Sequence, residues 1–250
     1  MTAAPMPEAG RGFQLLAPRN LAASGPDEHV RALGLMAVAG GWTVTSSQGT
    51  LVLLSRCRRI GIGYEPKGSE SGEPMVLASV RASRKGAERW HARVAGHAPA
   101  ELLTALIASL QHELVRDPDA LIYGVGEGEA DLSLSYEPEA WEVRSPAPGD
   151  DFTFALLSSD GTVAVSAHAI PDRPGDSSGD PKWLAVAATA PDRMLWCLSL
   201  SRNTPAHFAA HLVNHILDND PVLRPTTQDP GEAAGASRTD AVEKPGGAHA

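Results

Sequence analysis

Three histidines, His207, His211 and His215, recur every fourth residue near the end of the chain. On a helix this spacing puts all three on one face. Neutral imidazoles four residues apart can share a metal ion. Against that chemistry, no glutamate stands inside the run as a metalloprotease helix would have it, and no third ligand is evident elsewhere. The plainer reading is a solvated helix face, so no metal and no cofactor is expected. Cys57 lies among Arg56, Arg58 and Arg59. Neighbouring cations favour a thiolate, but a passive turn cysteine fits the position better. Gly124, Gly126 and Gly128 imitate a phosphate loop, yet Glu127, Glu129 and Asp131 beside them would repel phosphate. Asp150 and Asp151 are adjacent and read as turn residues, not as an acid–base pair. No G-x-S-x-G occurs. Nothing here makes an enzyme the first expectation.

The elements that carry these residues come in two sets. Aligned on itself, the chain matches Trp42-Thr43-Val44 with Trp141-Glu142-Val143, and Leu53-Leu54-Ser55 with Leu156-Leu157-Ser158. Gly72-Glu73-Pro74 follows on Gly179-Asp180-Pro181, Trp90 on Trp196 and Pro99 on Pro205. The matches stay in order and pair four of the five tryptophans. A period near 100 residues means tandem domains. Each copy reads as four to five short strands closed by one amphipathic helix. The fold class expected is therefore α+β, two tandem antiparallel meanders each followed by a helix. In the fifth strands, Trp90, Ala92 and Val94, and likewise Trp196, Leu198 and Leu200, alternate onto one face. Leu102, Leu103, Leu106, Ile107, Leu110 and Leu114 form the first helical stripe, and Phe208, Leu212, Val213 and Ile216 the second. Pro99 and Pro205 suit the first helical position, with Thr204 as cap before the second. A short helix near Glu28–Val38 precedes the first copy.

The expected boundaries are a disordered start over 1–13, a first repeat with its lead-in helix over 14–117 and a linker over 118–135. A second repeat over 136–224 and a disordered tail over 225–250 complete the chain. The ends are rich in Ala, Gly and Pro and have little to bury. Two distant cysteines make no disulfide framework. No signal peptide or membrane-length apolar run is evident, so a cytoplasmic protein with no membrane contact is expected.

Net charge is −9 over 250 residues, unevenly placed. Residues 40–117 carry +3 and residues 118–250 carry −12. If Ile60, Ile62, Trp90, Ala92 and Val94 face the helix, their neighbours face away. In the first copy these include Arg59, Gly61, Gly63, His91 and Arg93, joined by Arg81 from the fourth strand. Their counterparts in the second copy are Thr162, Ala164, Ser166, Ala188, Cys197 and Ser199. Arg59, Arg81, His91 and Arg93 are thus candidate binding residues on a basic face. The small neutral face suits burial against the first copy or in a homodimer.

The opening W-x-V, the turn Leu157–Gly161 and the ending from Trp196 through Thr204, Pro205, Ala206 and His207 to Arg224 resemble the actinobacterial SPDY domain family. The lead-in Leu16–Ala22 is similar too. The resemblance spans roughly residues 14–224 and is closer in the second copy; the first departs at Arg56-Cys57-Arg58 and at Ala98. It implies a tandem domain of unknown function and transfers no catalytic residue. The function expected is non-enzymatic binding or scaffolding, with a protein partner or self-association. Nucleic-acid binding through the basic face is the alternative, and an enzyme or metal-binding protein ranks third.

Overall fold

The computed structural model describes residues 13–17, 24–47, 49–68, 72–123, 134–136, 138–148, 152–168, 181–190, 193–218, 222–225 and 237–238. After β1 (Phe13–Ala17) and α1 (Pro26–Gly40) come β2 (Thr43–Ser47), β3 (Thr50–Leu54), β4 (Ile60–Glu65), β5 (Met75–Arg81) and β6 (Glu88–Gly96). The helices α2 (Ala100–Arg116) and α3 (Pro118–Tyr123) follow. Five more strands succeed them: β7 (Trp141–Arg144), β8 (Phe152–Ser158), β9 (Val163–His168), β10 (Pro181–Ala190) and β11 (Arg193–Ser201). The chain continues with α4 (Ala206–Leu217), β12 (Val222–Pro225) and β13 (Ser237–Arg238). The class is α+β. Five strands and a helix occur twice in the same order.

Ten strands form one antiparallel sheet in the order β2-β3-β4-β5-β6-β11-β10-β9-β8-β7. Within each run of five every strand pairs with its neighbour in sequence, a meander, and the runs meet where β6 pairs β11. Alternation decides which side is core. Ile60, Ile62 and Tyr64 of β4, Val76, Ala78 and Val80 of β5, and Trp90, Ala92 and Val94 of β6 are buried. In the second run the same face is made by Leu156, Val163, Val165, Trp196, Leu198 and Leu200, all buried. The helix layer closes over it with Leu102, Leu103, Leu106, Ile107 and Leu110 of α2 and Phe208, Leu212, Val213 and Ile216 of α4. Trp90, from the first run, packs at a tilt against Phe208, from the helix after the second, with centroids 4.9 Å apart. Its indole N–H donates to the Leu121 carbonyl at 2.8 Å, which satisfies the one polar atom of a buried ring. Tyr64 donates to the Pro26 carbonyl at 3.3 Å. Burial, with the Asp27 carboxylate nearby, pushes its phenol up to about 12.

The turns into the third strands use different residues for one pattern. In the second run Val163 N donates to Ser158 Oγ at 2.9 Å, and Gly161 N to the Ser158 carbonyl. In the first, Ile60 N donates to Ser55 Oγ at 3.1 Å, and Arg58 N to the Ser55 carbonyl. Gly161 has φ 72°, and Arg58 holds φ 57° without being glycine. Burial alone would raise the Asp160 carboxyl, but hydrogen bonds from Ser158 and Thr162 hold it below the ordinary aspartate value.

Several expectations are corrected. The prolines precede the helices instead of opening them: Pro99 and Pro205 occupy the N-cap position at φ/ψ −55°/137° and −57°/135°. Thr204 Oγ1 is buried with no hydrogen-bond partner, so it does not cap α4. In the first run the cap comes from far away, because Ser24 Oγ accepts from Ala100 N at 2.9 Å. Buried His29 adds a bond to the Ala98 carbonyl at 2.7 Å. The span 118–135, read as linker, begins with α3, whose Leu121 and Ile122 are buried. Of the two ends expected to be disordered, Phe13, Pro225, Ser237 and Arg238 lie in a three-stranded sheet, β12-β1-β13. The remainder of both ends lies outside the described residues.

Candidate functional site

All the described helices lie on one side of the ten-stranded sheet, so the side chains that alternate away from the core define a second face. Its composition follows from register. Arg59 precedes β4 and stands beside Arg81, whose N–H donates to the Arg59 carbonyl at 2.9 Å. One row further along, Gly61 faces Ser79 and Ser79 faces His91. In the next row Val52 faces Gly63, Gly63 faces Leu77 and Leu77 faces Arg93. The four candidate residues Arg59, Arg81, His91 and Arg93 are therefore on one face of β4–β6, within three successive rows. Arg81 and Arg93 are exposed and Arg59 is half-buried.

Two details temper and shape this patch. His91 Nδ1 lies 2.9 Å from Glu88 Oε1, and Glu88 sits opposite Arg81 in register, so one carboxylate is woven into the basic cluster. The centre is low and partly apolar. Leu77 is 39% exposed, Val52 and Leu54 are half-buried, and a side chain built on Gly63 would meet nothing within 4 Å. Leu77 was legible as the outward residue between Val76 and Ala78, but charge alone drew attention to its neighbours.

The face continues across the junction. Arg93 pairs in register with Ser199, and half-buried Cys197 lies one row on. Burial pushes the Cys197 thiol up, with the Arg93 guanidinium opposing, so this cysteine is no ready nucleophile. The two half-faces lie side by side in one sheet and do not pack on each other. The expected burial of the small second face against the first copy is thus corrected: Ala164 is exposed and Ser166 and Ser199 are half-buried.

The histidines divide. His207 and His211 line a groove between α2 and α4, together with His112, Glu113 and Arg116 of α2. His215 is not among the lining residues. No group of three or more His, Cys, Asp or Glu side chains among the described residues is placed to hold a metal ion. Cys57 is exposed in its turn, 3.5 Å from Ser55 Oγ. The glycine run 124–128 and the pair Asp150-Asp151 lie outside the described residues.

Residues 157–222, from the end of β8 to the start of β12, match the model of the SPDY family, a domain of unknown function (DUF317). No curated protein and no solved structure matches the chain. No helix among the described residues is long and apolar enough to cross a membrane.

Proposed function

We propose that this chain is a non-enzymatic binding protein of the cytosol, a duplicated meander-and-helix unit that presents the sheet face opposite its described helices to a protein partner. The observation that carries the reading is that face: Val52, Gly63, Leu77, Arg93 and Ser199 follow one another in a single row across five strands, on the side away from the described helices. Exposed apolar and arginine side chains together mark interface centres more than solvated surfaces. Arg59, Arg81 and Arg93 favour an acidic partner segment with apolar residues to meet Leu77 and Val52. The duplication draws on the ordered sequence matches and on the shared turn geometry at Ser55 and Ser158. The cytosol draws on two free cysteines, Cys57 and Cys197.

Nucleic-acid binding is the second reading, and the arginines on one face favour it. Few cations, one of them beside a carboxylate, and a chain of net charge −9 give it little counterion release to draw on. One experiment separates the two. Full-length protein and a Leu77→Glu variant are used to capture partners from the native cytosol, each with and without nuclease. The expected result is a protein retained after nuclease and reduced about tenfold by the substitution. Retention that vanishes with nuclease would favour the second reading, and equal capture by the variant would overturn the face assignment.

A further inference from the structure

The helix layer holds a cavity that the sheet face does not account for. Between the C-terminal half of α2 and the first turns of α4 lies a groove of about 360 Å³, within the range of small-molecule sites. Its apolar floor is Ala105 and Ala108 of α2 and Phe208 of α4. Its walls carry His112, His207 and His211. Glu113 and Arg116 are also present, but their charged groups approach to 4.0 Å and largely offset each other. The imidazoles remain as the polar groups still to be used.

His207 is the central one. Both its ring nitrogens are shielded from solvent and neither has a hydrogen-bond partner. Glu113 Oε2 stands 3.7 Å from Nε2, beyond hydrogen-bond reach. A shielded polar group without a partner carries a desolvation cost that a ligand can relieve. The fold does not require histidine here, since the corresponding positions on α2 are Glu101 and Ala105. A metal ion does not fit, because no three ligands converge among the described residues. Imidazole N–H groups donate, so the complementary ligand accepts; the alanine and phenylalanine floor calls for a short apolar body behind its polar head.

We propose that the α2–α4 groove binds a small organic anion, a carboxylate or phosphate monoester with a short apolar body, and that His207 is its principal donor. The test is an NMR titration of the ¹⁵N-labelled full chain with hexanoate and with phenyl phosphate, against hexanol and hexylamine. Saturable shifts confined to residues 105–116 and 206–211 are expected for at least one anion, with the alcohol and amine binding at least about tenfold more weakly. His207→Phe keeps the ring's bulk and removes its donors, and should weaken the anion about tenfold. Ala108→Phe should fill the groove and abolish binding. Should the His207 variant fail to fold, His211→Ala at an exposed position is the replacement and should also weaken it. No saturable shift with either anion, an equal response to hexylamine, indifference to these substitutions, or stoichiometric zinc held by the histidines would each overturn the proposal.

Discussion

Arg58 and Gly161 do one job with different chemistry. Each donates its N–H to the carbonyl of a serine three residues back, and that serine's hydroxyl accepts from the strand beyond. Glycine reaches positive φ without penalty, whereas arginine at φ 57° crowds its Cβ against the backbone. Arg58→Gly should therefore stabilise the protein by about 0.5–1 kcal/mol, read as a raised urea midpoint with an unchanged slope. A destabilising result would show that the Arg58 side chain makes contacts outweighing its backbone strain. The sequence marked this turn as the point where the first copy departs from the second, and in residue types it does. The hydrogen bonds were not legible, because Ser55 aligns with Ser158 but nothing in Arg56-Cys57-Arg58 resembles Asp160-Gly161. The groove shows the same boundary of legibility. Spacing put His207, His211 and His215 on one face of a helix, but not which other helix that face meets. His112 and Glu113 therefore carried no signal of their own.

Helices and strands with a clear period were legible within a few residues, since burial of one face is what the period encodes. Elements whose partners are distant were not. The strand β1 has only five residues and pairs with β12 more than 200 positions later. The cap of α2 is Ser24, 76 residues upstream. Joining the two runs places its own demand on one glycine. Gly96 ends β6 at φ 84°, opposite Trp196 in register. A Cβ there would lie 2.4 Å from the Leu195 carbonyl oxygen and 2.9 Å from Trp196 Cα, both backbone atoms that cannot swing aside. Gly96→Ala combines the left-handed penalty with a clash at the junction and should cost at least about 2 kcal/mol. Urea unfolding measures it. A loss under about 0.5 kcal/mol, the range of ordinary surface changes, would mean that the β6–β11 pairing is looser than its register implies.

At the scale of the whole chain the β6–β11 junction decides whether two units behave as one. Arg93 faces Ser199, which is its own counterpart in the other run, while Ala92 faces Leu200 and Val94 faces Leu198. Counterparts thus exchange across the junction, as two equal strands meeting about a local twofold must do. The core does not stop there: Trp90 packs on Phe208 of the other run's helix, and α2 and α4 share the cover over both meanders. Splitting the halves would expose the edges of two central strands and one side of each buried ring, so unfolding of one half removes stabilising contacts from the other. Unfolding in urea, followed by tryptophan fluorescence and by far-ultraviolet circular dichroism, should give a single coincident transition. Ile62→Ala in the first run and Val165→Ala in the second are the local probes, since both side chains are buried. Each should cost about 2–4 kcal/mol by removing core methyl groups, and each should lower the midpoint of the one transition seen by both signals. Two separated transitions, with each substitution moving only its own, would show instead that the halves are independent domains that merely touch along β6 and β11.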